Sequence, residues 1–392
     1  MKIPKLILPV IVFSQFAGTS LWFAGNAILA DLQSTMNVDI NDTGIVTSAI
    51  QLGFIIGTLI FAFFSISDRY SPRKLFLVCS ILGSFSNLLI YFIADNLFSL
   101  LVLRFITGFF LTGIYPIGMK IAAGWYKKGL GNAIGLLVGA LVLGTAFPHL
   151  IKSIGGSLPW EQVLFFVSAV SFAGGTLMYL LVPDGPYITS GTKFNPKSII
   201  SIFNHRHFRA AAFGYFGHMW ELYTFWAFIP IILIYYKNEN SVELNIFFWS
   251  FIIIAAGSLG CIIGGIISKK AGSAKVASFQ LLLSGFCCLI SPLMFYTSSF
   301  VFLSFLIFWG IVVVGDSPQY SAIIALSAPK DLVGSGLTLV NSIGFAITIV
   351  SIWVVSQFAG IIDISFILVI LVLGPIAGLI SMKPLLSIQP VK

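Results

Sequence analysis

Long apolar runs without a charged residue are the feature that most constrains this chain. Residues 281–302, for example, contain no Asp, Glu, Lys or Arg, and about 20 such residues suffice to cross the hydrocarbon core of a membrane. Backbone N–H and C=O groups in lipid must be bonded within the protein, so only helices or a closed barrel can span it. The runs are continuously apolar and do not alternate as barrel strands do. Because only 9% of the 392 residues are charged, we predict an all-α membrane protein.

Breaks at charged, proline and glycine clusters divide the chain into twelve predicted spans. The first six lie near residues 7–30, 43–66, 74–94, 97–119, 130–151 and 161–182, and the second six near 208–236, 244–267, 276–297, 300–326, 332–358 and 364–382. A polar stretch without a long apolar run separates the two sets. We therefore predict an N-terminal six-helix bundle at residues 1–182, a cytoplasmic linker at 183–207 with room for one short surface helix, and a C-terminal six-helix bundle at 208–392.

The distribution of Lys and Arg predicts the orientation of the spans. If the N-terminus is cytoplasmic, most of the 21 Lys and Arg residues fall in cytoplasmic loops, whereas Lys152 and Lys237 fall outside. Basic residues favour the cytoplasmic side, so both termini are predicted to be cytoplasmic. The net charge of +8 is then explained by topology, and we expect no nucleic-acid partner.

Two short segments recur at an offset of about 200 residues. Residues 113–116 in span 4 read Gly-Ile-Tyr-Pro, and residues 315–318 in span 10 read Gly-Asp-Ser-Pro. The basic loop after span 2 has a counterpart at residues 267–275, after span 8. Such a repeat indicates two parallel six-helix halves related by an axis along the membrane normal.

The loop between spans 2 and 3 carries a recognisable cluster of charges. Its members are Asp68, Arg69, Arg73 and Lys74. Together with Arg104 in span 4 and the twelve-span symmetry, this loop resembles the cytoplasmic signature of the major facilitator superfamily (MFS), although Phe64 occupies a position where the family has glycine. The resemblance implies the MFS fold, with twelve transmembrane helices in two pseudo-symmetric bundles, and secondary transport by alternating access.

The resemblance also implies a cytoplasmic gate. Asp68, Arg69 and Arg73 would hold the cytoplasmic side closed, against the start of span 11, with Lys74 in the same cluster. A carboxylate beside cations at a helix end can latch two elements through charge-assisted hydrogen bonds. The alternative is that the basic residues are ordinary cytoplasmic charges.

Arg104 lies inside span 4, where a charged side chain needs an anion, a group of carbonyls or a water-filled cavity. It is interpreted either as a residue that binds a substrate anion or controls a proton relay, or as a structural contact to carbonyls. Lys120 lies further along the same predicted helix, so both cations could face one cavity and favour an anionic substrate. The alternative for Lys120 is that its amine extends to the cytoplasmic surface.

Span 7 contains the most unusual stretch, in which Glu221 lies about 18 Å along the helix from Arg209. A glutamate near the middle of the membrane suits a carboxyl that loads and releases a proton, and His218 lies one turn earlier on nearly the same face. The alternatives are a fixed contact of Glu221 with Arg104 or within the bundle, and a core role for His218. Asp316 in span 10 is a second carboxyl candidate.

Further polar and aromatic residues are candidates for the walls of a transport cavity. They are Asn26, Gln51, Tyr115, Trp220, Tyr223 and Asn341. The alternative for the aromatic residues is a place in the interfacial belts of the membrane.

These features favour a secondary active transporter that moves a small polar or anionic organic solute by proton-coupled uptake. Export of a metabolite or toxic compound stays open, although span 5 lacks the glycine-proline pair of drug antiporters. No enzyme motif is present, and a non-transporting receptor is a further alternative. We expect no cofactor or metal, a small-molecule substrate, protons and lipid as partners, and a monomer in the bacterial inner (cytoplasmic) membrane.

Overall fold

A computed structural model describes residues 3–36, 43–126, 130–154, 158–188, 202–329, 332–359 and 361–386. Within these ranges the chain is helical, without strands, and twelve segments are long and apolar enough to cross a membrane. The predicted all-α fold with twelve spans is therefore confirmed. Residues 189–201 of the predicted linker, including any surface helix there, lie outside the described residues. Contacts divide the chain into two compact units, Met1–Gly191 and Thr192–Lys392.

The first unit contains spans 1 to 6. Their helices are Ile7–Thr19 and Ala24–Met36 (span 1), Thr43–Phe63 (span 2), Pro72–Ile93 (span 3), Leu97–Leu111 and Tyr115–Trp125 (span 4), Leu130–Ser153 (span 5) and Trp160–Leu181 (span 6), with a short helix, Ile66–Arg69, between spans 2 and 3. Span 1 packs against spans 5 and 6, and span 2 packs against span 4.

The second unit contains spans 7 to 12. Their helices are Arg206–Glu239 (span 7), Ile246–Ala271 (span 8), Ser273–Met294 (span 9), Ser299–Gly315 and Ser317–Ser327 (span 10), Val333–Phe358 (span 11), and Ile364–Ile367, the 3-10 helix Leu368–Val372 and Leu373–Leu386 (span 12). Span 7 packs against spans 11 and 12, and span 8 packs against span 10.

Spans 4 and 10 are both interrupted at the repeated segment. A proline, Pro116 or Pro318, stands in the first turn of the helix that follows each interruption. Proline lacks a backbone N–H and its ring crowds the preceding turn, so it is tolerated at a helix start but breaks a helix interior. In span 10 the interruption is the single residue Asp316.

Close backbone contact joins equivalent spans in the two units. A Cβ atom at Gly108 of span 4 would collide with the carbonyl oxygen of Ile50 in span 2, and one at Gly310 of span 10 would collide with that of Ile253 in span 8. Small residues allow membrane helices to approach in this way. The same contact at equivalent places supports the internal repeat, and it fixes the helices that carry Arg104 and Asp316.

Candidate functional site

A buried acid-base pair joins spans 7 and 10 in the second unit. Nδ1 of His218 lies 2.8 Å from Oδ1 of Asp316, and both side chains are 1% exposed. The rings of Tyr215 and Tyr320 flank the imidazole, with centroid distances of 5.8 and 5.9 Å. The interruption of span 10 places the aspartate at a helix end, where it can turn towards span 7. An imidazole and a carboxyl are thus held together away from solvent.

Glu221 lies one turn beyond His218 on span 7, within a group of neutral donors. Its Oε1 accepts hydrogen bonds from Ser284 Oγ at 2.5 Å and Trp309 Nε1 at 2.8 Å, and from Cys288 Sγ at 3.4 Å. Sequence reasoning missed these donors, because they lie on spans 9 and 10 and no local spacing connects them to Glu221. Glu221 is therefore held by neutral donors within the bundle and not by Arg104.

Arg104 is fully buried in the first unit, against the interruption of span 1. Nη1 donates to the carbonyl of Leu21 and to Oδ1 of Asn87, each at 3.2 Å, and Nη2 donates to the carbonyl of Trp22. Carbonyls at a helix end lack the N–H of a following turn, and the guanidinium supplies donors to two of them. This geometry corresponds to the structural carbonyl contact, not to binding of a substrate anion.

Lys120 requires a correction of the shared-cavity hypothesis. Its Nζ forms a salt bridge with Asp68 and donates to the carbonyl of Ser67 at 2.6 Å. The expected alignment with Arg104 assumed one continuous helix, but span 4 is interrupted between the two residues. Lys120 therefore binds the loop after span 2, and the argument for an anionic substrate loses this cation.

Ser71 and Arg73 connect the loop to Asp184, which follows the end of span 6. Ser71 Oγ donates to both carboxylate oxygens of Asp184, at 2.9 and 2.7 Å, and Arg73 Nε lies 3.9 Å from Asp184 Oδ2. The guanidinium of Arg73 also lies 5.3 Å from the ring centroid of Tyr179. Arg69, by contrast, is exposed. The loop is thus fastened within its own unit, with Asp184 as a partner that sequence reasoning missed.

A sequence model of the Major Facilitator Superfamily matches residues 10–352. The chain belongs to this superfamily. The resemblance predicted from the signature loop is confirmed, and the chain is an integral membrane protein and a secondary transporter. No curated protein matches the sequence.

The other candidate residues in the first unit of this superfamily member lie on spans 1 to 4. Asn26 Nδ2 donates to Thr47 Oγ1 at 2.7 Å and so joins spans 1 and 2. Gln51 is buried in span 2, and Tyr115 begins the second helix of span 4 and is partly exposed. Lys74 is exposed at the start of span 3. Gln51 lies one turn after Thr47 on the same helix, so Asn26 and Gln51 occupy neighbouring positions between spans 1 and 2.

Candidates in the second unit also divide. Trp220 Nε1 donates to the carbonyl of Ile370 at 3.4 Å, towards span 12. Tyr223 packs against Phe345 of span 11 at a centroid distance of 5.1 Å. Asn341 is partly exposed on span 11. Among the second-unit candidates, His218 and Asp316 pair directly with each other.

Sequence reasoning also missed the role of a buried ion pair in the first unit. Lys152 Nζ lies 2.8 Å from Asp31 Oδ2 and donates to the carbonyl of Leu158 at 2.6 Å, with the lysine side chain 2% exposed. Sequence reasoning treated both residues as loop charges outside the membrane. Asp31 and Lys152 are far apart in the sequence, so no local pattern indicates that they pair spans 1 and 5.

Proposed function

We propose that this transporter takes up a small polar organic solute together with protons, by alternating access. The observation that carries the proposal is the buried His218–Asp316 pair, whose Nδ1 and Oδ1 atoms lie 2.8 Å apart. An unpaired charge inside a span costs about 2.5–3.5 kcal/mol on insertion scales. The net charge of an imidazole and a carboxyl changes with each proton bound, so proton binding alters the free energy of keeping the pair buried.

Glu221 supplies a second carboxyl on the same helix. Trp309 Nε1 can only donate, so Oε1 of Glu221 remains the acceptor and a proton would be carried by the other oxygen. Binding and release of protons at His218–Asp316 and at Glu221 would then change the contacts that span 7 makes with spans 9 and 10. We propose that these contacts differ between the states of the transport cycle.

The signature loop fits a role in the cytoplasmic gate. Lys120 fastens it to span 4 and Asp184 to the segment that follows span 6, so the loop would move with these segments as one body. The exposed side chain of Arg69 would then move together with the first unit. We propose this arrangement for a monomer in the bacterial inner membrane, with both termini cytoplasmic.

Two features favour uptake of a polar solute over the other hypotheses. Span 5 lacks the glycine-proline pair of drug antiporters, which speaks against multidrug export. Arg104 and Lys120 are both bound within the protein, which speaks against an anionic solute.

The test uses proteoliposomes that contain the full chain and an enclosed pH-sensitive dye. Sugars, polyols, amino acids and carboxylates are added outside, and we expect at least one of them to acidify the interior. The Asp316→Asn variant should lose the solute-driven acidification. Glu243→Gln is the matched control, because Glu243 is 95% exposed in its pair with Lys237. Accumulation of a solute without any proton movement would contradict the proposal.

A further inference from the structure

The buried cations of this transporter are already bound within the protein. Among the described residues the buried cationic side chains are Arg104 and Lys152, and the partly buried Lys120 faces Asp68. Arg104 binds carbonyls of span 1, and Lys152 binds Asp31. An anionic solute entering a site of low polarity needs a cation to offset its lost hydration. These three cations would have to leave their partners to supply it.

The buried carboxyls are likewise engaged. Asp316 faces His218, and Glu221 accepts from Ser284 and Trp309. A cationic solute would have to replace these contacts. The buried charged side chains of the described residues are therefore already paired or hydrogen-bonded within the protein, which favours an uncharged solute.

A different set of buried groups is available for hydrogen bonding. His149 in span 5 is 0% exposed, and neither of its ring nitrogens has a hydrogen-bond partner among the described residues. The hydroxyl of Thr145, one turn earlier on the same helix, and both amide atoms of Gln15 in span 1 are also buried without a partner in that part of the chain. Spans 5 and 1 are in contact, since a Cβ at Gly144 would meet the carbonyl oxygen of Phe16.

Buried polar groups without partners cost free energy unless water or a ligand satisfies them. A neutral imidazole offers one donor and one acceptor, and a hydroxyl or amide group of a solute offers the same combination. None of the three side chains carries a charge when the imidazole is neutral. Their chemistry thus matches an uncharged, hydroxyl- or amide-rich solute.

We infer that the transported solute is uncharged and that His149, with Thr145 one turn away on span 5, recognises it through hydrogen bonds. This inference rests on the proposed transport function and names its substrate class. It also has an electrical consequence. One proton entering with an uncharged solute moves one net charge, whereas one proton with a monovalent anion moves none, so uptake should respond to the membrane potential as well as to the pH gradient.

The test compares matched probes on the purified full chain by thermal shift. Glucose, gluconate and glucosamine form one set that differs in charge, and nicotinamide and nicotinate form another. We expect an uncharged member to raise the unfolding temperature more than its charged counterparts. A larger shift with a charged member would overturn the inference.

The His149→Leu variant should bind the stabilising probe about tenfold more weakly or worse, which corresponds to 1.4 kcal/mol. His149→Gln keeps a donor and an acceptor and should retain much of the binding, so it serves if the leucine variant does not fold. His207→Leu is the matched control, because His207 is exposed. Equal binding by wild type and both His149 variants would overturn the assigned role.

Transport of the stabilising probe separates the two proposals. Uptake that ignores the proton gradient but remains selective for the uncharged probe would contradict proton coupling and leave the substrate class supported. Proton-driven uptake of the charged probe alone would support proton coupling and contradict the inferred substrate class.

Discussion

Nδ1 of His218 lies 2.8 Å from Oδ1 of Asp316, and Asp316 is the single residue between the two helices of span 10. The helix interruption therefore does two things at once. It ends the first helix of span 10 at Gly315, and it holds a carboxyl against the imidazole of span 7. A rearrangement of either span would change the distance in this pair, which connects proton binding to helix position.

The pair should show strong energetic coupling in a double-mutant cycle. Breaking a buried charged pair by removing one partner costs about 3–5 kcal/mol, so His218→Gln and Asp316→Asn should each lower the unfolding temperature strongly in detergent. The double variant places two neutral amides together and should recover part of that loss. The surface pair Lys237–Glu243 is the control, with an expected coupling of about 0–1 kcal/mol. Additive effects at positions 218 and 316 would show that the two side chains do not interact.

Trp309→Phe tests the donors around Glu221. Phenylalanine keeps an aromatic ring but removes the N–H that donates to Oε1; Ser284 and Cys288 still donate to that oxygen, so the cost is that of one lost hydrogen bond, about 0.5–1.5 kcal/mol. We expect a loss of stability in that range by chemical denaturation. Trp353→Phe is the control, because Trp353 is 57% exposed and its replacement should change stability little. Equal stability of the two variants would mean that the indole N–H contributes nothing to holding Glu221.

The variants Arg104→Lys and Arg104→Gln distinguish a structural role from substrate binding. Lysine can reach fewer acceptors than the forked guanidinium, which here donates to Leu21, Trp22 and Asn87. We expect both variants to unfold at lower temperature than wild type, the glutamine variant most, while the order of preference among transported solutes stays the same. Normal stability combined with altered charge selectivity would restore the substrate-binding interpretation.

The twelve spans could be predicted well from the sequence, because the length of an apolar run is a local property and decides whether the run can cross a membrane. The interruption of span 10 also follows from a local feature, because Pro318 stands two residues after Asp316 and proline breaks a helix interior. The partners of Glu221 could not be predicted, since Ser284 and Trp309 lie on other helices and pair only after packing. The prediction for Lys120 failed for the opposite reason. It assumed that helical periodicity continues through span 4, although Pro116 signals an interruption there.

Asp184→Asn tests whether the signature loop is fastened to the segment that follows span 6. The variant weakens the acceptor for Ser71 Oγ, and we expect faster hydrogen exchange in peptides that cover residues 66–75. The free energy of unfolding should change by less than about 1 kcal/mol. The Asp184 side chain is 41% exposed, and ionic contacts at the protein surface contribute little to stability. Asp95→Asn, at an exposed loop position before span 4, is the control. Unchanged exchange at residues 66–75 would mean that the loop is held by Lys120 alone.

Asp363 should make the stability of the second unit depend on acid pH. It precedes span 12, where Ser365 donates from its hydroxyl and its backbone N–H and Tyr235 donates from its hydroxyl. The hydrogen bonds from Ser365 are the main reason that the pKa of Asp363 lies below its ordinary value of 3.8. The folded state thus favours the carboxylate, and the stabilisation is complete above the ordinary pKa and is lost as the pH falls through the lowered one.

Acid titration of the unfolding temperature measures this effect. As the pH falls below about 4, wild type should lose stability more steeply than Asp363→Asn, because the amide cannot take up the proton. Near neutral pH the variant should be slightly the less stable of the two, since asparagine keeps an N-cap acceptor but loses the negative charge at the helix N-terminus, which contributes about 0.3–1 kcal/mol. Glu239→Gln, at an exposed position at the end of span 7, is the control and should follow wild type. Parallel curves for wild type and Asp363→Asn would show that Ser365 and Tyr235 do not favour the charged carboxyl.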